Sequence, residues 1–106
     1  SSTNIAIVCA GNNGEISYED TQVAGAIISK LIKNRAHSLS DSSKIAMELW
    51  TALKKPDFSG EHAKKLSQLG FTKDLEFCQK VDYIPILAEL RDGKIIKVKC
   101  QKIQMR

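Results

Sequence analysis

Gly11-Asn12-Asn13-Gly14 is the segment best suited to hold an anion. Its two glycines permit tight turns and close backbone approach. A helical pattern follows, and the start of a helix points free N–H groups back at the preceding loop. A phosphate or sulfonate can sit there, with Gly11, Asn12, Asn13 and Gly14 as the substrate-binding residues. Glu19 and Asp20 follow within the first helical turn. Carboxylates there repel a bare anion, but they can hold Mg²⁺, which then bridges to phosphate. The plainer reading is dipole complementarity, with Asp20 completing a Ser-x-x-Asp capping box begun by Ser17. The loop is neither a Rossmann fingerprint nor a P-loop, since no Gly-Lys-Ser/Thr is present.

His62 is the second candidate. It falls in the first turn of a predicted helix, where it can bind an anion or transfer a proton, or simply stand exposed. His37 lies in a polar linker and takes no role. Asp74, Cys78 and Asp82 share a four-residue spacing, but Asp82 falls past the expected helix end, so a metal site made from these three is not expected. Cys9, Cys78 and Cys100 are odd in number and form no Cys-x-x-Cys pair. They read as reduced and mostly buried.

These residues need a scaffold. Asn4–Ala10 is an almost continuous apolar run that stops at the glycine loop. Strands apolar on both faces belong inside parallel sheets covered by helices. No second strand of that kind occurs in the chain, so residues 4–10 are expected to find their strand neighbours outside it. A first helix is predicted from Tyr18 to Lys33, capped by Ser17. Its apolar face carries Val23, Ile27 and Leu31, with Ala24, Ile28 and Ile32 beside them. A second runs from Ser42 to Lys54, capped by Ser40 or Asp41. Its stripe is Ile45, Leu49 and Leu53 with Ala46 and Trp50, and Pro56 ends the segment. A third starts near Ser59 and ends at Gly70. A fourth spans Lys73 to Val81, capped by Thr72. The end reads as a hairpin. A three-residue Arg91-Asp92-Gly93 loop sets Ile86 against Val98, Ala88 against Ile96 and Ile84 against Cys100, all on one face.

The fold class expected is therefore α/β. It is a three-layer α/β/α-type sheet domain with one buried strand, about four helices and a C-terminal β-hairpin, as one domain of the usual size. Of the 106 residues, those from Arg91 onward carry a net charge of +5 and the remainder −1. Such a tail can touch nucleic acid, or it can be a solvated strand face whose lysines guard a sheet edge. No apolar stretch is long enough for a membrane span. No secretion signal pattern is seen, which points to the cytoplasm.

The ordered set resembles a known family. An apolar strand runs into Ala10-Gly11, then come Gly14, Ser17 with Asp20, and Ala24-Gly25. After a helical gap follow His62, Leu69-Gly70, Asp74, Cys78, Asp82 and the Asp92-Gly93 turn. Over nearly its whole length the chain is similar to the C-terminal half of the phosphosulfolactate phosphatase (ComB) family of coenzyme M biosynthesis. The resemblance implies an α/β fold and Mg²⁺-dependent hydrolysis of 2-phosphosulfolactate to sulfolactate and phosphate. It implies that Gly11, Gly14, Asp20 and His62 contribute to a shared site, with Asp20 and His62 catalytic and Asp20 a Mg²⁺ ligand; Glu19, adjacent and acidic, is a Mg²⁺ candidate beside it. It also implies a missing N-terminal half, from the same protein or a second chain, and allows a homo-oligomer. Family members usually carry Val-Pro where Leu87-Ala88 stands here.

The alternative is a non-catalytic α/β binding or assembly domain using the basic hairpin. Lys97 and Lys99 alternate with Ile96, Val98 and Cys100, as a half-buried edge strand requires, and no aromatic residue follows Tyr83. A single-strand-binding surface usually adds aromatic stacking. No specific nucleic-acid binding is therefore expected at about 0.15 M salt, and low-salt binding should fall steeply as salt rises. A salt titration with single- and double-stranded oligonucleotides checks this. Sub-micromolar affinity that survives, and is lost in Lys97→Glu/Lys99→Glu, would promote the alternative.

Overall fold

The computed structural model describes residues 4–99. Four helices and one hairpin follow in order: α1 Tyr18–Asn34, α2 Asp41–Leu53, α3 Glu61–Gln68, α4 Thr72–Cys78, β1 Ile86–Arg91 and β2 Lys94–Lys99. The chain is mixed α/β. Among the described residues the only sheet is the antiparallel β1–β2 pair, and the described helices include none long and apolar enough to cross a membrane.

Residues 4–10, expected as a buried strand with neighbours outside the chain, pair with no described segment. They carry no ladder and are exposed, Val8 to 89% and Ile5 to 51%. A strand exists through hydrogen bonds to a neighbour, and no described segment supplies one. The three-layer arrangement is accordingly not seen.

Capping sets the helix starts. Ser17 caps α1 by accepting from the Asp20 N–H at 3.4 Å. Ser40, rather than Asp41, caps α2 by accepting from the Ser43 N–H at 3.3 Å. The start of α4 departs from expectation: Phe71 holds the cap position without a side-chain bond, and Thr72 is already helical. The Thr72 hydroxyl instead meets Ser67 Oγ at 2.9 Å. Gly70 ends α3 as expected. Its φ of 95° lets the Phe71 N–H reach the Leu66 carbonyl at 3.0 Å and its own N–H reach Ser67 at 3.1 Å, a Schellman closure.

The core lies between α1 and α2. Ala24, Ile28 and Ala46 are buried, with Ile32, Leu39 and Met47 packed against them. The buried stripe of α1 is thus the Ala24–Ile28–Ile32 row. Val23 and Ile27, expected to be buried, are exposed to 60% and 42%, as is Ile45 of α2 to 64%. Trp50 is half-buried. The reason is the small-residue row: helices meet where their backbones approach most closely, and here that is Gly25 against Ala46. Cys9 and Cys78 are exposed rather than core, since neither lies on that row.

The hairpin departs in register. Ile86 pairs with Lys99, Ala88 with Lys97 and Arg91 with Lys94 around a two-residue Asp92-Gly93 turn. The expected Ile84–Cys100 pairing falls partly outside the described residues. Asp92 and Gly93 have φ of 51° and 75°, the type I′ geometry that matches strand twist. Burial fixes register only where one face is covered. β1 is exposed throughout, and the hairpin packs on none of the helices. Turn chemistry therefore decides.

A Cβ added at Gly25 would overlap the Ala46 carbonyl and crowd Trp50 Cβ at 3.0 Å. Gly→Ala in a helix gains at most about 1 kcal/mol of propensity, whereas overpacking costs about 1–3 kcal/mol. Gly25→Ala is expected to lower the denaturant midpoint of the complete protein, measured by urea unfolding.

Candidate active site

The loop before α1 is a miniature turn. Asn12 and Glu15 exchange both backbone hydrogen bonds, at 2.9 and 3.0 Å. Between them Asn13 and Gly14 have φ of 51° and 79°, again a type I′ pair. Gly11 also has a positive φ, 76°, and a Cβ there would press on the Glu15 carbonyl at 2.7 Å. The Gly11 N–H donates to Asp20 Oδ2 at 2.8 Å. Two of the N–H groups expected to cradle an anion, those of Gly11 and Asn12, are thus bonded within the protein, as is that of Glu15. The N–H groups of Asn13 and Gly14 make no hydrogen bond to a described residue.

Asp20 is therefore a strap across the loop as well as a carboxylate. Oδ2 holds Gly11, Oδ1 bonds to no described residue, and the Asp20 carbonyl accepts weakly from Cys9 Sγ at 3.5 Å. Glu19 points elsewhere, as adjacent helical positions do. Its Oε2 accepts from Ser17 Oγ at 3.0 Å. Its Oε1 is buried without a partner, and a Cβ placed on Gly60 would lie 2.8 Å from it. Gly60 is the N-cap of α3. The start of α3 thus abuts the start of α1, and glycine is required at the junction. His62, the second residue of α3, is half-buried, and its side chain bonds to no other described residue.

The structure therefore joins Gly11 with Asp20, and Glu19 with the N-terminus that carries His62. Asp82, outside α4, pairs with Lys30 at 3.1 Å. No group of three or more His, Cys, Asp or Glu gathers among the described residues. Mg²⁺ commonly uses only one or two carboxylates, completing its shell with water and phosphate. The orphaned Glu19 Oε1 is a donor of that kind, so Glu19 fits a contribution to such a site.

Gln22 was not anticipated. It is 2% exposed and binds both backbone groups of Asp57. The signal available was its position three residues before Gly25, which places a polar residue on the close-packed side of α1.

Asp20→Ala should release the loop, and Asp20→Asn, whose amide carbonyl can still accept from the Gly11 N–H, should not. Native-state hydrogen exchange at Gly11 and Asn12 checks this. Equal protection in Asp20→Ala and the parent would show that the strap is dispensable.

The chain matches the family model described as 2-phosphosulpholactate phosphatase over residues 1–93. It is 34% identical over 99 residues to a probable 2-phosphosulfolactate phosphatase of Pseudothermotoga lettingae, covering 89% of this chain and 42% of that protein. Proteins of the same name from Caldanaerobacter subterraneus subsp. tengcongensis and Thermotoga petrophila are 34% and 35% identical. They align over 88% and 91% of this chain but only 40% and 43% of their own lengths. The chain thus spans about two fifths of the curated relatives it matches. No solved structure matches it. The match covers nearly the whole chain, and the chain belongs to the 2-phosphosulfolactate phosphatase family.

Proposed function

We propose that the complete protein containing this chain is a cytoplasmic, Mg²⁺-dependent phosphate-monoester hydrolase acting on 2-phosphosulfolactate, and that this chain supplies one wall of its site. The observation that carries the proposal is the meeting of three features at one end of α1: the Asn12–Glu15 turn, the Glu19–Asp20 pair and the N-terminus of α3. The names of the relatives supply the reaction class.

Roles follow from what each atom has left to offer. The N–H groups of Asn13 and Gly14 are available to phosphate oxygens. Glu19 Oε1 is a donor for Mg²⁺, with Asp20 Oδ1 a second carboxylate oxygen at the same helix end. When bound, Mg²⁺ supplies neutralisation of the phosphate charge. Asp20 Oδ1 is also suited to orient the attacking water and accept its proton. As the water oxygen bonds to phosphorus the phosphorus–alkoxide bond breaks, and His62 donates a proton to the departing alkoxide. The other ligands and the rest of the substrate pocket come from the remainder of the protein. Here Asp20 has two duties, one on each oxygen.

Phosphate release from 2-phosphosulfolactate, beside generic phosphate esters, tests the reading in the complete protein with Mg²⁺ and with chelator. Turnover should require Mg²⁺. Asp20→Asn, which keeps the strap, should lose about 10²–10⁴-fold in kcat if Oδ1 moves the water proton. A carboxylate that only complements the helix dipole is worth about 0.3–1 kcal/mol of stability. Full turnover with a slightly lowered melting temperature would assign Asp20 to that lesser role.

A further inference from the structure

α3 follows α2 in the chain and must be delivered to the start of α1, where the candidate site lies. The connector between them carries no regular structure, and Lys54 leaves α2 in the left-handed conformation, φ 64°. One side chain fixes its path. Gln22 Nε2 donates to the Asp57 carbonyl at 2.6 Å, and Gln22 Oε1 accepts from the Asp57 N–H at 2.8 Å. This is a two-bond amide pair between residues 35 apart in sequence. Asp57 in turn accepts from the Ser59 N–H through Oδ1 at 2.9 Å, turning the chain into Gly60. Gly60 begins α3 with its Cα against Glu19 and Tyr18. Gln22 lies one helical turn after Glu19, on the same side of α1. The helix that carries Glu19 thus also carries the clamp that brings α3 to it.

We propose that Gln22 is a positioning residue: by holding both backbone groups of Asp57 it sets where α3 begins, and so holds His62 beside the Glu19–Asp20 end of α1. This rests on the phosphatase reading for its effect on rate, but not for its effect on structure. An apolar side chain of similar length could fill the same space, but it would leave the Asp57 N–H and carbonyl without these partners. The carboxamide meets both at once, which accounts for a buried glutamine in α1.

The experiment compares Gln22→Met, Gln22→Glu, His62→Ala and the Gln22→Met/His62→Ala double variant in the complete protein. Two quantities are read: kcat and KM for 2-phosphosulfolactate, and hydrogen exchange of amides 59–63 against those of α2. Gln22→Met is expected to lower kcat by about 10–100-fold, the scale of a small misplacement of a reacting group, with KM little changed. Exchange at 59–63 should quicken while α2 stays protected. The double variant should be no slower than His62→Ala alone. Gln22→Glu retains the acceptor for the Asp57 N–H and should fall between parent and Gln22→Met. If Gln22→Met fails to fold, Gln22→Glu carries the comparison. Unchanged exchange at 59–63, unchanged kcat, or losses that multiply in the double variant each overturn the proposal. So does a fully active His62→Ala, which leaves the phosphatase reading standing. Absence of phosphate release from the parent overturns the phosphatase reading instead. The exchange measurement then decides the clamp by itself.

Discussion

The close approach of α1 and α2 at Gly25 is the constraint on which the rest depends. With no Cβ at that position, the Ala46 carbonyl region and Trp50 lie directly against the α1 backbone. That contact chooses which side of α1 is covered. It buries the Ala24–Ile28 row and leaves Val23 and Ile27 in water. It also puts the end of α2 beside Gln22, so the connector that follows can be bonded to α1 through Asp57. The resulting core is small, and among the buried apolar residues of the described chain only Ile28 is larger than alanine. Position here is set less by apolar volume than by one backbone contact and a few well-placed polar bonds.

Those polar bonds concentrate at the first two turns of α1. Ser17 is nearly buried and uses one hydroxyl twice, accepting from the Asp20 N–H and donating to Glu19. Asp20 reaches back to Gly11, and Gln22 reaches across to Asp57. Each bond ties a different segment to the same helix end: its own cap, the glycine turn, and the approach to α3. Among the side-chain atoms of the described residues, Glu19 Oε1 alone is left buried and without a partner. An unmet buried acceptor costs about 1–3 kcal/mol, so this oxygen stands out in a region otherwise so fully bonded.

The hairpin obeys a different rule. It packs on none of the described helices, and Leu90 and Ile95 stand exposed to 72% and 78%. With both faces open, the apolar alternation has nothing to register against. The two positive φ values at Asp92-Gly93 decide the pairing instead. The radius of gyration, 15.3 Å, exceeds the value of about 13 Å for a compact chain of this size, in keeping with an arm that stands off from the helices.

The sequence by itself determined what is local. Ser17 and Ser40 announced two helix starts, and Gly70 announced the end of a third, because caps and left-handed turns depend on a few adjacent residues. The ordered glycines, Asp20 and His62 also made the family legible before any coordinates. Tertiary structure alone decided three things. Which of two adjacent apolar rows on α1 is buried turned on a helix partner, since both rows have helical period. Whether Asn4–Ala10 becomes a strand turned on a neighbour that no described segment provides. And the free valences of the candidate site turned on bonds spanning 9 and 35 residues, Gly11 to Asp20 and Gln22 to Asp57. Spacing shows that a carboxylate and a glycine loop are near one another in sequence. It does not show that the loop N–H is already taken by that carboxylate.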